Sequence, residues 1–269
     1  MNSPLIQYDG QMPPQLEVIR LEGNPAKPPI LLLHGAWLGA WCWRDWMTLF
    51  NAHGYTVIAP SYRAHGHSSH AASLRWTRLS HYVEDAISVA SQLESPPIII
   101  AHSMGGAVAQ GLLETVKAAA LVLVASVPPA GALGAALRLA QRHPVAFARI
   151  NLMLSLLPAV STPALVREMF YSASTPEATV LETAALVQDE SYSAFLGMLA
   201  FKSKPLELPV LVVGGESDGI FSVAELLATA KFFGAPLNLY ANTGHNLMLE
   251  PNRNEIVLEI LAWLEFGVA

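Results

Sequence analysis

Three residues of this chain could act together as a nucleophile, a base and an acid: Ser103, His245 and Asp218. A serine hydroxyl is a poor nucleophile until an imidazole takes its proton, and a carboxylate then fixes the imidazole's tautomer and stabilises the imidazolium. The surroundings of Ser103 favour that role. Ile98-Ile99-Ile100-Ala101-His102-Ser103-Met104-Gly105-Gly106 is a β-branched apolar run that stops at a small residue, followed by one serine and two glycines. This is the pattern of a nucleophile elbow, in which a buried strand, a sharp turn and a helix raise the hydroxyl at the tip. The usual form is Gly-x-Ser-x-Gly, and here Ala101 replaces the first glycine. Attack on a carbonyl also needs donors for the oxyanion that develops. His34-Gly35-Ala36-Trp37 offers the Ala36 N–H, and the elbow offers the Met104 N–H. Trp37, beside the first donor, and His102, beside the serine, are the expected substrate contacts. His34 is read as a structural residue that hydrogen-bonds to its own loop.

The elements that must position these groups follow from apolar patterning. Leu16–Leu21 alternates as a first strand, and Ile30–His34, Tyr55–Pro60, Ile98–Ala101, Ala118–Ala125 and 208–213 are apolar on both faces. Runs of that kind belong to a parallel sheet buried between two helical layers. Helical spacing appears over Ala40–His53, over Leu79–Leu93 with Ser80 as N-cap, from the elbow to about Val116, and over Val223–Phe233 and 254–266. Leu237–Tyr240 is the last strand. The fold class is therefore α/β, a three-layer α/β/α arrangement around a mostly parallel twisted sheet. Catalytic groups in such sheets sit just past the carboxyl ends of strands, and Ser103, Asp218 and His245 all do.

Between Gly131 and Lys204 the strand–helix alternation stops, and the chain is helical, apolar and punctuated by Pro144, Pro158, Pro163 and Pro176. The expected organisation is a core over 1–130, a helical cap over 131–204 and the rest of the core over 205–269. Phe147, Met153, Leu154, Leu157, Met169, Phe170, Phe195 and Met198 would supply an apolar, adaptable roof. Trp41, Trp43 and Trp46 are read as helix-to-sheet packing, and residues 1–14 as a loosely held arm.

Composition narrows the function. Hydrophobic residues make up 52% and charged residues 13% of 269, yet no apolar run reaches the length of a spanning helix. A net charge of −6 without a basic stripe excludes nucleic acid as a partner. Cys42 is the only cysteine, so no internal disulfide or thiolate metal cluster can form. His65-x-His67-x-x-His70 has metal-ligand spacing, but Ser69 stands where a carboxylate ligand would be needed, and a solvated loop is the reading adopted. No metal or cofactor is expected. The first residues carry no signal-peptide pattern, so a cytoplasmic protein, monomer or homodimer, is expected.

On His34-Gly35-Ala36-Trp37, Ala101-His102-Ser103-Met104-Gly105-Gly106, Gly215-Glu216-Ser217-Asp218 and Gly244-His245, the chain resembles the α/β-hydrolase fold superfamily over its whole length outside the cap. His34 to Trp43 is similar to the opening of the plant methylesterase and hydroxynitrile lyase family, and Arg63-Ala64-His65-Gly66-His67-Ser68 to bacterial esterase and lysophospholipase-like members. The resemblance implies that Asp218, and not its neighbour Glu216, is the acid. It implies a serine hydrolase acting on a small or medium apolar carboxylic ester, thioester or lactone. Asn246 stands where the hydroxynitrile lyases carry lysine, which points away from cyanohydrin chemistry, and Ser103 excludes the branches with an aspartate nucleophile. A lyase or carbon–carbon bond hydrolase using the same triad as acid and base is the alternative, and a non-catalytic ligand receptor a third.

Overall fold

In the computed structural model, which describes residues 14–69 and 73–266, the expected sheet is present. The strands are β1 (Val18–Leu21), β2 (Ile30–Leu33), β3 (Val57–Pro60), β4 (Ile98–His102), β5 (Ala120–Val124), β6 (Val210–Gly215) and β7 (Leu237–Tyr240). They form one sheet in the order β1-β3-β2-β4-β5-β6-β7, with β1 antiparallel to β3 and every other pairing parallel. The helices are α1 (Arg44–Ala52), α2 (Leu79–Ala90), α3 (Met104–Leu112), α4 (Leu133–Arg142), α5 (Pro144–Met153), α6 (Pro163–Phe170), α7 (Glu177–Leu186), α8 (Tyr192–Ala200), α9 (Val223–Phe233) and α10 (Arg253–Phe266). Most of the arm expected over 1–14 lies outside the described residues. None of the described helices is long and apolar enough to cross a membrane.

Side chains alternate between the two faces of a strand, so a run that is apolar throughout feeds two cores. Leu31, Leu33, Ile99, Ala101, Leu121 and Leu123 join a core that includes Ala86 and Val89 of α2, Ala107 and Val108 of α3 and residues of α4–α8. Ile30, Leu32, Ile98, Ile100, Val122 and Val124 join the opposite core, with Met47 and Phe50 of α1 and Ile256, Val257 and Ile260 of α10. Trp43 and Trp46 are fully buried in that second core and Trp41 packs against it, in keeping with helix-to-sheet packing.

Helix ends differ in places from the expectation. The first helical stretch is a 3-10 turn over Ala40–Trp43 that runs into α1. Ser80 is not the cap of α2; the helix begins at Leu79, and the Arg78 N–H donates to His81 Nδ1 at 3.1 Å. A ring nitrogen three residues on therefore satisfies the N–H of the cap residue itself, the part that a Glu or Gln side chain plays in a capping box. α3 stops at Leu112 instead of Val116, where the Thr115 hydroxyl turns back onto the Leu112 carbonyl. Between β5 and β6 the described chain holds five helices, α4–α8, and no strand of the main sheet.

The approach of α3 to β2 is the tightest constraint near the sheet centre. A Cβ on Gly105 would press into the Leu33 carbonyl oxygen and stand 2.7 Å from that of His34. Neither oxygen can retreat, because both belong to the main chain at the end of β2, which is paired on both sides. Gly105→Ala is expected to lower unfolding free energy by about 2–4 kcal/mol, or to abolish folding, because overpacking against backbone cannot relax through a rotamer. Urea denaturation reads this directly, and a loss under about 1 kcal/mol would contradict it.

Candidate active site

β4 ends at His102, and Ser103 follows with φ 52° and ψ −119°. A positive φ is costly for a residue with a Cβ and persists where surrounding structure holds it. Here the Ser103 N–H donates to the Val124 carbonyl at 3.0 Å, and the Ser103 carbonyl accepts from Gly106 N at 3.0 Å and Val127 N at 3.2 Å. The turn is thus pinned to β5 and to the first turn of α3. The His34–Trp37 loop lies directly against it: a Cβ on Gly35 would stand 2.8 Å from the Ser103 Cβ and 2.7 Å from His102 Nδ1.

Asp218 and His245 come together from the loops after β6 and β7. His245 Nδ1 lies 2.8 Å from Asp218 Oδ2, with both side chains almost fully buried. The other carboxylate oxygen, Oδ1, accepts from Ile220 N at 2.7 Å and Phe221 N at 2.9 Å, which fixes the acid's plane. A carboxylate only accepts, so the proton of the neutral imidazole sits on Nδ1 and Nε2 is left as a free base. Glu216 is exposed and makes no hydrogen bond to His245.

Ser103 and His245 make no direct hydrogen bond among the described residues, but one neighbour joins their main chains. His102 Nε2 donates to the His245 carbonyl at 3.0 Å, and the two rings lie 4.7 Å apart. His102, expected as a substrate contact, has this place in the structure. It alternates with Ile98 and Ile100 along β4, packs at 6.3 Å on the edge of Trp43, and does not line the cavity at Ser103. Burial, with nearby His245, holds its pKa well below the usual histidine value, so it is a neutral donor. His34 behaves similarly. Its Nδ1 bonds the Gly35 carbonyl at 2.8 Å and its Nε2 accepts from Tyr62 N at 3.0 Å, and burial with the nearby His65 pushes its pKa down to about 3.

The Ala36 and Met104 N–H groups find no acceptor among the described residues, and Met104 is the first residue of α3. Free donors at a helix start are suited to a developing negative charge. Trp37 also has a positive φ, 64°; its Nε1 donates to the Leu156 carbonyl at 3.2 Å and its ring leans on Phe170 at 5.7 Å.

Ser103, Ala36 and Trp37 open into a mostly apolar cavity. Of the roof residues expected, Met169, Phe195 and Met198 line it, whereas Met153 and Leu157 are exposed. The rest of the apolar wall was not foreseen: Ala132 just before α4, Ala135, Ala136 and Leu139 of α4, Ile150, Leu156 and Ala159, and Ile220 and Phe221 after Asp218. The i, i+3, i+4, i+7 spacing of 132, 135, 136 and 139 was visible as a helix face, but not what the face looks onto. Arg138, Arg142 and Glu168 supply its charged lining, with His143 beside Glu168.

The histidine-rich loop is also corrected. His65 is fully buried, not solvated, and its Nε2 lies 3.2 Å from Glu190 Oε2, misaligned for a hydrogen bond. Burial is the largest influence and lowers its pKa, but Glu190, the Arg63 carbonyl and the Asp85 charge together outweigh it and the net direction is upward. His67 is exposed, His70 lies outside the described residues, and no group that could hold a metal ion occurs among the described ones.

Comparison with known proteins bears on the family and the fold. A family model described as the alpha/beta hydrolase family matches residues 30–257. A carbendazim hydrolyzing esterase of Nocardioides sp. is 31% identical over 86 residues, 32% of this chain and 36% of that protein. Methylesterase 17 of Arabidopsis thaliana is 32% identical over 95 residues, 34% of each. The chain thus spans about a third of the length of these curated relatives. A thermophilic esterase from Thermogutta terrifontis superposes with a TM-score of 0.75 at 20% identity, over 94% of this chain and 93% of that one, a likeness of fold.

The buried neutral histidines set a pH dependence. His34 titrates near 6.5 when unfolded and at about 3 when folded, and His102 is lowered in the same direction. The stability they lend is complete above pH 6.5 and is lost as pH falls toward 3, because the unfolded chain takes up protons first. The His34 share is at most about 5 kcal/mol. Urea midpoints should therefore decline steadily from pH 7 to 4, and a flat profile would contradict the assignment.

Proposed function

The chain belongs to the alpha/beta hydrolase family, and we propose that it is a serine hydrolase that cleaves apolar carboxylic esters through an acyl-enzyme. The observation that carries this reading is the buried Asp218–His245 pair beside a strained Ser103 turn. In the proposed cycle Ser103 Oγ attacks the ester carbonyl carbon while His245 Nε2 takes its proton. Asp218 holds the imidazole at Nδ1 and stabilises the imidazolium. The Ala36 and Met104 N–H groups, which have no partner among the described residues, receive the oxyanion. The tetrahedral intermediate collapses as His245 protonates the departing alkoxide, leaving an acyl-Ser103. Water, deprotonated by His245, attacks that acyl group and releases the carboxylic acid and the free serine.

The Ser103–His245 bond itself is absent here, and such bonds commonly tighten only when substrate is bound. Residues 131–204 are proposed as a cap, since α4–α8 contribute most of the wall over Ser103. The apolar lining favours a hydrocarbon acyl or alkyl group over a polar one. The esterase names of the relatives point the same way. A thioester or lactone presents the same carbonyl to the same groups.

A reactive organophosphonate should phosphonylate Ser103 in the wild type and leave Ser103→Ala unmodified, read by intact mass and peptide mapping. A homogeneous, folded sample that takes no label would sink the reading. Asp218→Asn should lower kcat by about 10²–10⁴-fold, while Glu216→Gln stays within about twofold. Loss of turnover in Glu216→Gln with Asp218→Asn intact would reassign the acid.

A further inference from the structure

His245 is held by more than its ring. Its carbonyl accepts from His102 on β4, and the peptide groups on either side of it are tied to the segment that leaves α6. The Asn246 N–H donates to the Phe170 carbonyl at 3.0 Å. The Gly244 N–H donates to Glu250 Oε1 at 2.7 Å, and that same oxygen accepts from Ser172 N at 2.7 Å. The second oxygen, Oε2, accepts from Thr175 Oγ1 at 2.5 Å and Ser172 Oγ at 3.1 Å. Glu250 is fully buried and forms no ion pair through its carboxylate among the described residues.

A carboxylate offers about four lone-pair sites, and here four donors fill them. Leaving such a group buried is expensive unless every site is met, so the donors must stay in place together. One donor sits immediately before His245 and three sit on residues 172–175. The Phe170 ring, at the start of that segment, lies over the His245 ring with centroids 6.3 Å apart and planes 22° apart.

We propose that Glu250 is a positioning residue for the reaction: it locks the His245 loop to the chain leaving α6, so that the proposed cap and the general base share one mount. The proposal rests on the serine-hydrolase reading above. Glu250 touches neither Ser103 nor the cavity wall, so its effect passes through the direction of the His245 ring and not through substrate binding. Its removal should act on kcat and leave KM nearly unchanged.

The test compares wild type, Glu250→Gln and the double variant Ser172→Ala/Thr175→Val with a short-chain nitrophenyl ester and with organophosphonate, at a temperature where circular dichroism shows each variant fully folded. Glu250→Gln turns one acceptor oxygen into an amino group that faces donors. It should lower kcat and the phosphonylation rate of Ser103 by about tenfold or more, with KM within threefold. The double variant keeps the Gly244 bond and loses two of the other three, and should lower kcat by about threefold or more, again with KM little changed. Glu250→Gln with kcat within threefold of wild type, or with its loss carried by KM, overturns the proposal. If Glu250→Gln does not fold, the double variant decides by the same threefold criterion. Wild type that takes no phosphonate label refutes the serine-hydrolase reading and this proposal with it. A labelled wild type beside an equally fast Glu250→Gln refutes this proposal alone.

Discussion

Burial of both faces of the sheet is the constraint on which the rest depends. A strand covered by helices on each side can carry almost no polar side chain, so β2, β4 and β5 read Ile-Leu-Leu-Leu, Ile-Ile-Ile-Ala-His and Ala-Leu-Val-Leu-Val. Polar chemistry is therefore displaced to the carboxyl edge, where strands hand over to loops. His34, His102, Ser103, Asp218 and His245 all gather there. The polar groups crowded into that edge must satisfy one another, and they do so mostly through the backbone. His34 holds the Gly35 carbonyl and the Tyr62 N–H, His102 holds the His245 carbonyl, and Asp218 holds two N–H groups besides the imidazole.

The segment from α4 to α8 is fastened to the core by several independent polar contacts. Gln188 accepts from Gly66 N through its side chain at 2.6 Å and donates its own N–H to the Trp37 carbonyl at 3.0 Å. Tyr82 donates to Glu190 at 2.6 Å, and Ser191 donates to the Thr77 carbonyl at 2.5 Å. Arg138 of α4 donates to the Ile220 carbonyl at 2.6 Å and to Glu225 at 2.5 Å, bracing the loop that carries Asp218. The helices over Ser103 are thus integrated with the loops beneath them, and their apolar faces extend the same core as α2 and α3.

Much of this was legible in the amino-acid order, for physical reasons. Strands apolar on both faces have few other places to go; Ser103 and Asp218 each follow one, and His245 follows the half-buried last strand. What stayed hidden depends on contacts between distant parts of the chain. His65 looked like a loop residue because nothing nearby announces Glu190, which buries beside it. Ala132, Ala135 and Ala136 look the same in sequence whether they pack a core or wall a cavity. Glu250 reads as a residue ahead of the last helix, and only the fold brings Ser172 and Thr175 to it. The side of the sheet that His102 takes was within reach: it shares its strand face with Ile98 and Ile100, so parity alone turns it toward the α1 and α10 layer.

The connectivity of the site has a consequence for biosynthesis. Asp218 and His245 are only 27 residues apart, whereas the bond from His102 to the His245 carbonyl spans 143. Strand, elbow and α3 form a local unit that leaves the ribosome early, and chains fold as they emerge. On the proposed mechanism a nascent chain therefore displays its serine long before it owns a base. It stays inert toward esters until β7 and the loop after it have been made, so the activity waits on the strand that delivers the base and not on the one that delivers the nucleophile.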